Sequence, residues 1–120
     1  MADKAANTYS GVIVGGGRRA AALGFPTANI ALRDGEVLSG VYAVAALLDG
    51  KEYRAVAYAD ARRHLLEVHL LDVEMDLYGK QLFVTLLQKL RDDRAFDGED
   101  AAREQIRQDV EAAREYFAQK

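Results

Sequence analysis

No cysteine occurs in the 120-residue sequence, so a disulfide framework, a thiolate metal centre and a cysteine nucleophile are excluded together. No stretch approaches the roughly 18 apolar residues of a membrane-spanning helix, and the start, with Asp3 and Lys4 among alanines, lacks the apolar run of a secretory signal. A cytoplasmic protein without a membrane partner is therefore expected. Basic charge is not in excess. Sixteen Lys and Arg face 19 Asp and Glu, for a net charge of -3, which gives no broad positive field for a nucleic-acid backbone. Histidine is scarce too: His69 falls in a strand-like segment and His64 in a loop. A strand histidine with no second histidine or cysteine nearby serves more readily as hydrogen-bonded scaffold than as a metal ligand.

What is present is a globular balance, half of the residues hydrophobic and 29% charged. The length suits one domain, residues 1–120 with 1–8 as a flexible lead, and leaves no room for a second catalytic domain; a monomer is expected. Tyr9 to Val14 reads as a strand, ended by Gly15-Gly16-Gly17. Arg18, Arg19 and small residues follow, then Leu23-Gly24-Phe25-Pro26, which holds the single proline, and the apolar pair Ile30 and Leu32. Asp34-Gly35 marks a turn, Gly40 to Leu48 a strand, Asp49-Gly50 a hairpin, and Tyr53 to Tyr58 its return. Leu65 to Val73 reads as a central strand, Tyr78-Gly79-Lys80 as a turn, and Gln81 to Leu90 as a last long strand with Leu82, Val84 and Leu86 on one side. Beyond Asp97-Gly98 the period changes. Ile106, Val110, Ala113 and Phe117 recur at helical steps, with Glu99 and Asp100 in the first turn and Asp97 or Asp100 able to cap it. Short strands with hairpin signals before a single helix favour a mainly β fold: a small antiparallel Greek-key barrel of about six strands with a C-terminal α-helix.

Two segments carry groups suited to chemistry. Gly15-Gly16-Gly17-Arg18-Arg19 could cradle phosphate with backbone N–H groups and guanidinium forks, or simply form a mobile hairpin loop. It matches neither a Walker nor a Rossmann motif, since no lysine pattern or helix start follows. Gly24-Phe25-Pro26-Thr27-Ala28-Asn29 combines a close-approach glycine, a fixed proline φ, a hydroxyl and an amide. Thr27 and Asn29 offer hard oxygens suited to magnesium; the same residues also make an ordinary turn into a strand. Read from the residues alone, Glu67 is a solvent-facing strand position.

The segment Leu23-Gly24-Phe25-Pro26-Thr27-Ala28-Asn29-Ile30 resembles the bacterial form of the riboflavin kinase family. Further landmarks stand in the family's order: Gly40-Val41-Tyr42-Ala43-Val44, Leu66-Glu67-Val68-His69-Leu70-Leu71-Asp72, Asp76-Leu77-Tyr78-Gly79-Lys80, Leu90-Arg91, Phe96, and the helix with Gln105-Ile106, Asp109 and Ala113-Arg114. The resemblance implies the same small barrel, ATP and Mg2+ as cofactors, riboflavin as substrate and FMN as product. It implies nucleotide contacts from Gly17, Arg18, Arg19, Gly24, Pro26, Thr27 and Asn29, with Thr27 and Asn29 also holding the metal. It implies Glu67 as the base that takes the proton of the attacking hydroxyl. Arg91 and Phe96 fall on the flavin side, where Phe96 could equally dock the helix.

The chain departs from the family pattern twice. Arg19-Ala20-Ala21 stands where the family usually has Arg-Gly-Arg, which removes one guanidinium contact to phosphate. Ala57-Tyr58-Ala59-Asp60 and a short Ala61 to His64 connection stand where a longer substrate loop is usual. A catalytically weakened relative that serves as a flavin- or nucleotide-binding sensor or carrier is the alternative reading.

Overall fold

The structure is a computed structural model and describes residues 7–14, 27–73 and 78–119. Six strands, β1 Thr8–Val12, β2 Ala28–Ala31, β3 Gly40–Leu48, β4 Lys51–Asp60, β5 Leu65–Leu70 and β6 Gln81–Arg91, precede one long helix, α1 Glu99–Ala118. All ladders are antiparallel, in the order β1-β6-β3-β4-β5-β2. Because β2 lies beside β5 rather than β3, the connection is the expected Greek-key crossover. The sheet curls until its two ends nearly meet. A Cβ placed on Gly11 of β1 would lie 3.4 Å from the Ile30 Cβ of β2, and the Val14 N–H donates to the Asn29 carbonyl at 2.9 Å.

That last bond explains why β1 is shorter than the Tyr9 to Val14 reading. The chain leaves its β6 partner at Val12, opposite Gln81, and at Val14 turns to β2. Asn7 and Thr8, placed with the flexible lead by the sequence, are tied to β6: the Asn7 carbonyl accepts the Leu86 N–H at 2.9 Å and Thr8 pairs with Thr85. The apolar pair Ile30 and Leu32, which the turn reading of Thr27 and Asn29 leads into as a strand, straddles the end of β2, whose four residues include Ile30. The Asp49-Gly50 hairpin has the expected form, with Leu48 opposite Lys51 and both turn residues at positive φ, 51° and 79°; this turn matches the twist of the strands it joins.

Alternation sorts each strand into two faces. Ile30, Val44, Ala46, Leu48, Ala55, Ala57, Ala59, Leu66, Val68, Leu82 and Val84 fill the interior. Alanine on the inside of β4 leaves room for leucine on its neighbours, as a narrow barrel requires. On the outer face Val41, Ala43, Val56 and Leu71 receive Val110, Ala113 and Phe117 of α1. The helical stripe is therefore the expected one. Its cap is not: Gly98 occupies the N-cap with no side-chain hydrogen bond, so neither Asp97 nor Asp100 caps, and Glu99 and Asp100 instead place negative charge near the helix start and pair with Arg103.

Candidate active site

The register carries one row of residues across five strands. Asn29 lies opposite Glu67, Glu67 opposite Tyr58, Tyr58 opposite Val41, and Val41 opposite Arg91. Directly opposed residues of an antiparallel pair share a face with Cβ atoms about 5 Å apart, so all five belong to the outer face, while the neighbouring row of Ile30, Leu66 and Ala59 points into the core. The outer face is not solvent here. Glu67 is only 4% exposed, which overturns its reading as a solvent-facing residue. The tight turn after β4 supplies its counter-charge: Arg63 bonds Asp60 through its backbone N–H at 3.1 Å and its Nε at 3.0 Å, and its guanidinium stands 3.8 Å from the Glu67 carboxylate. A carboxylate removed from water needs such a partner.

Glu67, Tyr58, Arg62, Arg91, Phe96 and Gly40 line a cleft of about 80 Å³ beside α1. Arg91 makes a two-pronged bond to Asp109 of α1, 2.7 Å from Nε and 2.8 Å from Nη2, and Gln105 donates to the same carboxylate at 3.0 Å. Burial works against the Arg91 charge, but the hydrogen bonds and charge of Asp109 outweigh it and hold the group above its ordinary pKa. Phe96 lies under the guanidinium carbons of Arg91 and Arg94, at 5.6 and 5.5 Å from its ring centre, and packs against Ala102 and Ile106. It docks the helix and borders the cleft at once. A larger cleft of about 390 Å³ at the other end of α1, lined by Arg54, Asp72, Arg114 and Phe117 among others, contains none of the expected site residues.

Thr27 enters β2 from the row's far end. Its Oγ1 is buried with no hydrogen-bond partner among the described residues, and Asn29 beyond it is 4% exposed. No group of three or more His, Asp or Glu side chains that could hold an ion occurs among the described residues. A hydroxyl and an amide with few charges suit magnesium, which keeps water and shares phosphate oxygens; the donors fit that group. Gly17, Arg18, Arg19, Gly24 and Pro26 lie outside the described residues.

The model of the flavokinase family, riboflavin kinase, matches residues 4–117. The chain belongs to the riboflavin kinase family. The bifunctional riboflavin kinase/FMN adenylyltransferase of Escherichia coli strain K12 is 43% identical over 116 residues, 90% of this chain and 37% of that protein; the chain thus spans little more than a third of the length of such curated relatives. Among solved structures, riboflavin kinase from Trypanosoma brucei superposes with a TM-score of 0.64 at 24% identity, over 92% of this chain and 79% of that one, a likeness of fold. A chain described as a macrolide-efflux protein from Streptococcus pneumoniae superposes at 0.75 with 31% identity, over 89% of this chain and 38% of its own.

Within this riboflavin kinase fold, two residues stand at the site without having been assigned a part from the sequence. Asp109 did leave a signal, since it follows Ile106 by three positions and precedes Ala113 by four, which puts a carboxylate on the apolar stripe of α1. Tyr58 left none: its neighbourhood depends on the pairing of β3, β4 and β5, residues distant in sequence.

Proposed function

We propose that the chain, acting as one domain, transfers the γ-phosphate of ATP to the terminal ribityl hydroxyl of riboflavin and so forms FMN. The observation that carries this reading is the row itself, in which buried Glu67 stands between the oxygen donors of β2 and a cleft bordered by Phe96 and Arg91. Thr27 and Asn29 hold the nucleotide side, and magnesium bound there with the phosphates would offset their charge. Glu67 accepts the proton of the attacking hydroxyl as its oxygen bonds to the γ-phosphorus and the bond to the departing ADP oxygen breaks. Phe96 offers its ring to the flavin, and Arg91, fixed by Asp109, sets the far wall.

The sensor or carrier alternative gains no support, because Asn29 and Glu67 are directly opposed across β2 and β5 and Thr27 precedes β2 with its hydroxyl buried. Purified protein incubated with riboflavin, ATP and magnesium should yield FMN on chromatography, with release of ADP in equal amount. Absence of FMN under conditions where both ligands bind would overturn the reading.

A further inference from the structure

Tyr58 has a buried hydroxyl at this site that the proposed transfer leaves without a task. Its ring lines the cleft with Glu67, Arg91 and Phe96, and packs near Ala102 and Ile106 of α1. Its Oη is sealed from solvent and has no hydrogen-bond partner among the described residues. The nearby Asp109 carboxylate is already engaged by two bonds from Arg91 and one from Gln105. Burial, and after it the charge of Asp109, pushes the phenol above its ordinary pKa, so it remains protonated at neutral pH and has a proton to donate. A buried hydroxyl with nothing to bond to carries a free-energy cost that phenylalanine would avoid, which points to an acceptor arriving from outside.

We propose, resting on the riboflavin kinase reading above, that Tyr58 donates a hydrogen bond to a carbonyl oxygen on the edge of the substrate's flat ring and so positions and selects the flavin. The placement follows from the row. Tyr58 is one strand away from Glu67 on the same face, about 5 Å in sheet spacing, so a substrate with its hydroxyl at Glu67 extends its ring toward Tyr58, Phe96 and Arg91. The cleft of about 80 Å³ is well below the roughly 300 Å³ of an ordinary ligand pocket. A tricyclic ring therefore enters only if this cleft, which Phe96 borders, widens.

The test is Tyr58→Phe, which keeps the ring packing and removes only the donor. Fluorescence titrations with riboflavin, and with lumiflavin as the ring without its ribityl chain, should both show about tenfold weaker binding, the scale of one neutral hydrogen bond. KM for riboflavin should rise by a similar factor, while kcat and KM for ATP stay within about twofold and Tm does not fall. A merely structural role would lower Tm and disturb ATP as well. Lumiflavin binding equal in wild type and Tyr58→Phe would overturn this inference while leaving the kinase reading in place. Failure of the wild-type protein to bind riboflavin would overturn both.

Discussion

Thr27 and Glu67 illustrate how much the meaning of a residue depends on what closes around it. A threonine after a proline is ordinary turn chemistry, yet here its Oγ1 is buried and unmatched among the described residues, a condition that a bound ion or phosphate oxygen relieves. Thr27→Ala should accordingly weaken magnesium-ATP by about tenfold, the loss of one good contact, and leave riboflavin affinity unchanged; calorimetry with each ligand separately checks this, and equal losses for both would move Thr27 off the nucleotide side. Arg91 and Asp109 form the opposite case, a pair satisfied within the protein, with side chains 18% and 3% exposed. Asp109→Ala strands a largely buried guanidinium and should cost about 3 kcal/mol in urea denaturation. The double change Arg91→Met with Asp109→Leu should recover most of that stability, because replacing both charges removes the desolvation penalty along with the bond.

Among the elements, the β3–β6 ladder has the tightest local requirement. Its register slips between Val41 and Tyr42 and again between Ala43 and Val44, and Gly40 at the start of β3 has φ 100°, where a Cβ would stand 2.8 Å from Lys89 Cε and 3.0 Å from the Arg91 carbonyl. Gly40→Ala combines backbone strain with overpacking, each of order 1–3 kcal/mol, so a loss of about 2 kcal/mol or more is expected by thermal or urea unfolding; an unchanged Tm would mean that the β3–β6 ladder relaxes freely. Most elements were legible in the sequence because their signals are local. Asp49-Gly50 reports its own hairpin, and the spacing of Ile106, Val110, Ala113 and Phe117 reports α1. β2 is one of two readings of its segment, without bounds, because four residues, Ala28 to Ala31, hold one large apolar side chain, and pairing with β5 makes them a strand. The site was legible in part for the same reason. Thr27, Asn29 and Glu67 became candidates through resemblance, but the burial of Glu67 and the place of Tyr58 arise from the pairing of strands rather than from a local signal.

At the scale of the molecule, a six-stranded nearly closed barrel brings three distant segments, the entry to β2, the middle of β5 and the stretch from β6 into α1, to one side of its outer wall. Among the described residues no helix is long and apolar enough to cross a membrane, and the only long helix there serves to wall the cleft. The interior is filled by side chains, so the barrel presents its chemistry outward, between strands and helix, rather than in a lumen. If Glu67 takes the proton of the attacking hydroxyl, single-turnover formation of FMN by Glu67→Gln at saturating riboflavin, ATP and magnesium should be slow. The expected rate is lower by about 100-fold or more, the scale of a lost general base, with riboflavin and ATP affinities close to those of the wild type; an unchanged rate in a folded, ligand-binding Glu67→Gln would rule Glu67 out as the base.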